Sequence, residues 1–475
     1  MDLLSFRYAA FVLVTAFVFH LSPVKVRPIT LCAASLLLYG FYSPVSAGVL
    51  LIATVGVFVG ARALDTAEVQ GTRRRILLTT VLLALLSYLF LIKLLPILHE
   101  HGRALSTRYF LVALGVSYYT FKLMGYAIDV YWRKYPAWTD PMGFVAFATF
   151  FPQLPAGPIQ RAYEFELPAD ERTTAELMRF GFRRILLGIV KKTIIADQIG
   201  AMMAYIDGLQ PQFSNLNWIA ACLYALQLYF DFAALSDIAI GTAAVFGIRS
   251  PENFAHPFFA PSMTQFWRRW HMTLTFWLTD YAFTPLRMAT RNLGNWGLVL
   301  SITVNMVLIG LWHGLGFGFL VFGLIHSVYL IADSLTGGAR RRYYRKHPFA
   351  DKFTNVIGPF LVFGMVAFSL IFFRAVTLPN TLYQLRHIAD GLKAPLSSLQ
   401  TFYYGFSRLR CGLVGLATIW LELGGYMRSR NSKFMALFPR FSALPAAVRW
   451  AVYYVAIATA ATLHQQSVHF IYVQF

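Results

Sequence analysis

The stretch QFWRRWHMTLTFWLTDY, Gln265 to Tyr281, places two arginines, a histidine and an aspartate in a largely aromatic and apolar run. Ionisable groups at membrane depth are costly, so they usually face a protein interior or a water-filled cavity and act there. At helical spacing Trp267, Trp270, His271 and Leu274 share one face, and Arg268 and Arg269 point elsewhere. That arrangement predicts an imidazole between indole walls, with two guanidiniums left for an acidic partner. The plain alternative is a juxtamembrane helix whose arginines meet lipid headgroups and whose histidine is a packing residue.

The 475 residues around it are 57% hydrophobic and 13% charged, and the mean hydropathy is +0.56. A soluble chain carries about twice that charged fraction. Apolar runs recur near 4–21, 28–44, 46–63, 76–98, 109–131, 181–207, 215–247, 294–313, 316–335, 353–375, 408–427 and 448–464. The fold class expected is therefore an all-α polytopic membrane protein, one integral membrane domain over 1–475. The run from Tyr8 to Leu21 has no small-residue cleavage site after it and reads as a retained helix.

Net charge is +20. Nucleic-acid binding is not needed to explain it, because the basic residues crowd short loops between apolar runs. Placing Arg73–Arg75, Arg340–Lys346 and the loop holding Arg428, Arg430, Lys433 and Arg440 in the cytoplasm also places Lys25, Arg27, Arg133 and Lys134 there. Both termini, 99–108 and an extracytoplasmic loop over 376–407 then lie on the far side. Cys32, Cys222 and Cys411 are far apart in apolar stretches, without metal or redox spacing. No HExxH, G-x-S-x-G or phosphate-cradling glycine loop occurs, so no metal and no bound cofactor is expected.

Between two spans lies FFPQLPAGPIQRAYEF, Phe150 to Phe165. Pro152, Pro155, Gly157 and Pro158 forbid a continuous helix there. Irregular backbone near a bilayer survives when buried or lining a cavity, which makes Gln160 a candidate wall residue. His313 lies beside Trp312 in GLWHG, with glycines on both sides that allow close backbone approach. Asp231 and Asp237 need cationic partners in their apolar helix, and Arg268, Arg269 and Arg249 are the nearest supply by motif. Glu422 and Asp129 raise the same question less sharply. A near-neutral imidazole suits removal of a proton from a hydroxyl, which points to transfer of an activated group onto an alcohol. A transporter or flippase of an acylated precursor would use embedded charges and broken helices equally well, although no internal repeat is visible.

These residues resemble the membrane-bound O-acyltransferase (MBOAT) family, in its bacterial branch serving alginate O-acetylation and teichoic-acid D-alanylation. The likeness runs through ALGVSYYTFKLMGYAIDVYWRK (Ala113 to Lys134), FFPQLPAGPIQRAYEF, YFDFAALSDIAIGTAAVFGIRSPENFAHPF (Tyr229 to Phe258), FWRRWHMTLTFWLTDY, GLWHG and the terminal FIYVQF (Phe470 to Phe475). It implies a ring of about 11–13 transmembrane or re-entrant helices around a central tunnel. It also implies His313 as the catalytic residue and His271 as the second implicated one. The donor would be acetyl-CoA or an acyl-carrier-protein thioester entering from the cytoplasm. The acceptor would be an extracytoplasmic polysaccharide, reached through a periplasmic partner (SGNH-type or a small membrane protein) at the bacterial inner membrane. Pro285–Met288 stands where alginate-type sequences have Leu-Gly-Gly, and the MTLTFW run is nearer the D-alanyl type. The terminal FIYVQF and the overall length suit the acetyl-transfer type, so the resemblance implies acetyl as the first reading and D-alanyl as the alternative.

Overall fold

A computed structural model describes residues 3–66, 71–100, 115–168, 171–209, 214–375, 378–405, 407–429 and 445–463. The terminal FIYVQF, the 101–108 part of the far-side segment, 109–114 of the following apolar run and the Arg430–Arg440 loop lie outside them. Among the described residues every regular element is helical, and seven helices are long and apolar enough to cross a membrane. Their outward faces carry bare apolar side chains such as Ile52, Val328 and Phe360, as a lipid solvent requires. The chain divides into two compact units, residues 1–185 with 235–252, and 186–234 with 253–475.

In the first unit, local chemistry sets the helix starts. The Ser5 hydroxyl accepts the Tyr8 N–H, and Ser43 and Asp140 do the same for Ser46 and Met142, each with proline at the first helical position. The proline-bearing stretch is irregular as expected, and its backbone is buried from Phe150 to Gln160. Its polar groups are satisfied internally. The Gln153 amide donates to Gln160 Oε1 (2.6 Å) and Ser250 Oγ (2.8 Å), and Gln160 Nε2 donates to the carbonyls of Glu164 and Arg249. Lys122 Nζ donates to the Phe147 carbonyl and Gln153 Oε1. At Gly115 (φ 71°) an added Cβ would stand 1.9 Å from the Leu154 carbonyl oxygen, so this turn presses directly on the Val116–Tyr131 helix.

In the second unit, Gly294–His313 and Phe317–Lys346 form an antiparallel hairpin across a three-residue turn. Gly310 and Gly323 let the two backbones touch: a Cβ at either would lie under 3 Å from carbonyl oxygen of the opposite helix. Among the described residues three helices contain a π-turn, at Lys191–Ala196, Thr279–Phe283 and Ile419–Leu423. Such turns insert one residue without ending the helix. Within 376–407, read from the sequence as an extracytoplasmic loop, the described residues form two helices, Leu378–Lys393 and Pro395–Gly405.

Candidate active site

The Gln265–Tyr281 run is not one helix. Met263–Trp267 ends at Arg268, and a new helix, Met272–Leu278, begins after His271. His271 itself adopts φ 41°, ψ 54°, a left-handed conformation that costs a non-glycine residue about 1–2 kcal/mol. The break corrects the helical-face expectation. Trp267 and Trp270 do not wall the imidazole; its ring neighbours are Phe232 (4.7 Å, edge-on) and Trp312 (5.6 Å). Trp270 packs on Phe266 and Phe254. Trp267 Nε1–H donates to His326 Nδ1 (3.3 Å), and His326 Nε2 lies 2.9 Å from Ser369 Oγ.

The strained residue is held by a loop that the sequence does not single out. The Met272 N–H donates to the Asn253 carbonyl (2.8 Å), and the Ala255 N–H donates to the Arg269 carbonyl (3.0 Å). Asn253 Oδ1 accepts from Thr273 Oγ1 (2.6 Å) and lies 3.2 Å from His271 Nδ1. A carbonyl oxygen only accepts, so Nδ1 carries the ring proton and Nε2 is the basic nitrogen. Asn253, fully buried, thus fixes both orientation and tautomer.

His313 ends its helix, followed by Gly314 in extended conformation. Its ring packs edge-on against Phe373 (4.8 Å) and contacts Phe319 and Phe322. Trp312 lies 4.5 Å from the His313 ring and 5.6 Å from the His271 ring. One indole therefore touches both imidazoles, and both histidines are buried. Neither imidazole is exposed on the outer surface of its helix.

The carboxylates are seated by different cations than expected. Asp231 pairs with Lys192 (2.8 Å), which also holds Asp197 (2.8 Å), all three about 1% exposed. Asp237 pairs with Arg184 (2.6 Å) in the first unit. Neither bonds Arg268, Arg269 or Arg249. Arg269 Nη1 donates to the Phe259 carbonyl. Arg268 is exposed and lines an open cleft of about 340 Å³ with Gln265, Arg340, Arg341, Tyr344 and Asn355. Gln160 belongs to the first unit, where its amide is engaged as described above. Glu422 accepts from Tyr229 Oη (2.8 Å) and lies 3.0 Å from His256 Nδ1. Among the described residues no group of histidine, cysteine and carboxylate side chains could hold a metal ion.

Seven apolar helices long enough to cross a membrane, with two buried histidines meeting one indole, define a multi-pass membrane protein with a polar centre in its second unit. The family model for MBOAT, the membrane-bound O-acyltransferase family, matches residues 138–377, about half of the chain, and the chain belongs to that family. It is 35% identical over 273 residues to the probable alginate O-acetylase AlgI of Pseudomonas aeruginosa, covering 56% of this chain and 50% of that protein. It is 32% identical over 332 residues to the probable alginate O-acetylase AlgI of Azotobacter vinelandii, covering 66% and 65%. It is 30% identical over 305 residues to the teichoic acid D-alanyltransferase of Bacillus subtilis, covering 60% and 74%. The chain thus spans about half the length of the Pseudomonas relative.

Proposed function

We propose that this protein is an O-acyltransferase of the bacterial inner membrane. It moves a short acyl group, acetyl first, from a cytoplasmic thioester toward hydroxyls of an extracytoplasmic polysaccharide, with delivery through a separate periplasmic partner. The observation that carries this is the shared Trp312 contact: two buried imidazoles, one with its tautomer fixed by Asn253, meet one indole. The names of the alginate relatives support acetyl and glycan.

His313 takes the proton of the acceptor hydroxyl as its oxygen attacks the thioester carbonyl. The carbon–sulfur bond breaks, and the same proton passes to the leaving thiolate. His271, neutral and oriented, offers Nε2 to position the hydroxyl. The donor is acetyl-CoA or an acyl-carrier-protein thioester. D-alanyl is the second reading, favoured by the match over 74% of the Bacillus D-alanyltransferase.

The deciding measurement is thioester consumption by purified protein in detergent, with acetyl-CoA, acetyl-carrier protein and D-alanyl-carrier protein compared. Release of free thiol dependent on an acceptor is expected from one of them. A protein inert toward all three, yet able to move an acylated lipid-linked precursor across vesicles, would be a flippase and not a transferase.

A further inference from the structure

The Gly294–His313 helix carries a polar side chain that the chemistry above does not use. Asn305 is 6% exposed, its Oδ1 is shut off from solvent, and its amide makes no hydrogen bond among the described residues. Ser301, one turn earlier, folds its hydroxyl back onto the Gly297 carbonyl (2.7 Å); Asn305 has no such partner. A buried acceptor left unmatched is destabilising, and such a group in a native structure calls for an explanation.

Helical phase says where the amide points. Seven residues are almost two full turns, so Asn305 lies within about 20° of Trp312 around the axis and about 10 Å along it. The neighbouring hairpin helix is met by Met306 and Gly310, whose positions are rotated away from this face. Asn305 thus stands below the indole that touches both histidines. The loop basic residues put the start of this helix, with Arg287 and Arg291 before it, on the cytoplasmic side. Asn305 therefore lies between the cytoplasmic end and His313, on the side from which a donor comes.

We propose that Asn305 is a donor-recognition residue: its Oδ1 accepts a hydrogen bond from an amide N–H of the donor's pantetheine arm while the thioester sits at the histidines. This rests on the acyl-transfer reading. Free coenzyme thioesters and carrier-protein thioesters share this arm, two secondary amides in line behind the sulfur, so the contact serves either donor and is indifferent to the acyl group. A lipid tail offers no such donor, and the acceptor hydroxyl arrives from the opposite side.

The test uses Asn305→Leu in the full-length protein with three acetyl donors: S-acetylpantetheine, S-acetyl-N-acetylcysteamine, which keeps only the amide nearest sulfur, and S-acetyl-2-mercaptoethanol, which has none. KM for S-acetylpantetheine is expected to rise about ten-fold, the equivalent of one hydrogen bond, with kcat little changed. KM for S-acetyl-2-mercaptoethanol stays at the wild-type value, and S-acetyl-N-acetylcysteamine tells which amide is held. Tm stays level or rises, because an unmatched buried polar atom has been removed. Equal KM shifts on all donors, no shift on any, or a Tm loss that tracks kcat would overturn the assignment. A wild type inert toward every thioester would instead sink the acyl-transfer reading, and this inference with it.

Discussion

His313→Ala is expected to lower acyl transfer by orders of magnitude while leaving a folded protein. The ring closes its helix and is enclosed by Phe319, Phe322 and Phe373, so its loss opens an aromatic-lined space without stranding a charge. His271, whose Nδ1 is held by Asn253, is assigned to positioning, and both ring nitrogens of His326 are occupied by Trp267 and Ser369. General-base assistance contributes about 10²–10⁴-fold, and that is the expected fall in turnover. His313→Gln, which fills more of the space, should be equally inactive. The measurement is thiol release from the donor at matched amounts of monodisperse protein, alongside acyl content of the cell-surface polysaccharide. Turnover comparable to wild type in either variant would remove His313 from the mechanism.

The second large effect concerns folding. Lys192→Met should cost about 3–5 kcal/mol, the usual result of removing one partner from a buried charge cluster. The Lys192 ammonium lies between Asp231 and Asp197, each 2.8 Å away and nearly inaccessible; without it two carboxylates face each other in a low dielectric. Loss of most folded protein on size exclusion and a sharply lowered Tm are expected. Replacing all three charges together, Lys192→Met with Asp231→Asn and Asp197→Asn, should recover much of the loss, since neutral side chains carry no such penalty. A triple variant no better than Lys192→Met would mean that lost packing, not stranded charge, causes the instability.

The helices themselves were legible because lipid-facing and core-facing residues are both apolar, and long runs such as 215–247 and 294–313 announce themselves. The prolines of 150–165 announce their break just as plainly. The break at Arg268–His271 does not, because no glycine or proline marks it and the 3.6-residue spacing of the aromatics runs straight through. What bends the chain there is remote: the Asn253 loop, bonded to Met272 and Arg269. The carboxylate partners were hidden for the same reason. Lys192 and Asp231 are 39 positions apart, Arg184 and Asp237 are 53, and composition alone cannot choose among the many cations available to each. His313 was visible because its glycines and tryptophan are local; Asn253 was not, because its task exists only once the loop is folded.

The three π-turns carry a consequence for any wheel diagram drawn along these rods. Each extra residue advances the angular phase by about 100°, so the stripe that greets hydrocarbon before Lys191, Thr279 or Ile419 is not the stripe that greets it afterwards. Excising one residue from Lys191–Ala196 would let the coil close into ordinary α-helix and swing everything downstream, Asp197 first, a quarter-turn or more out of step with Lys192.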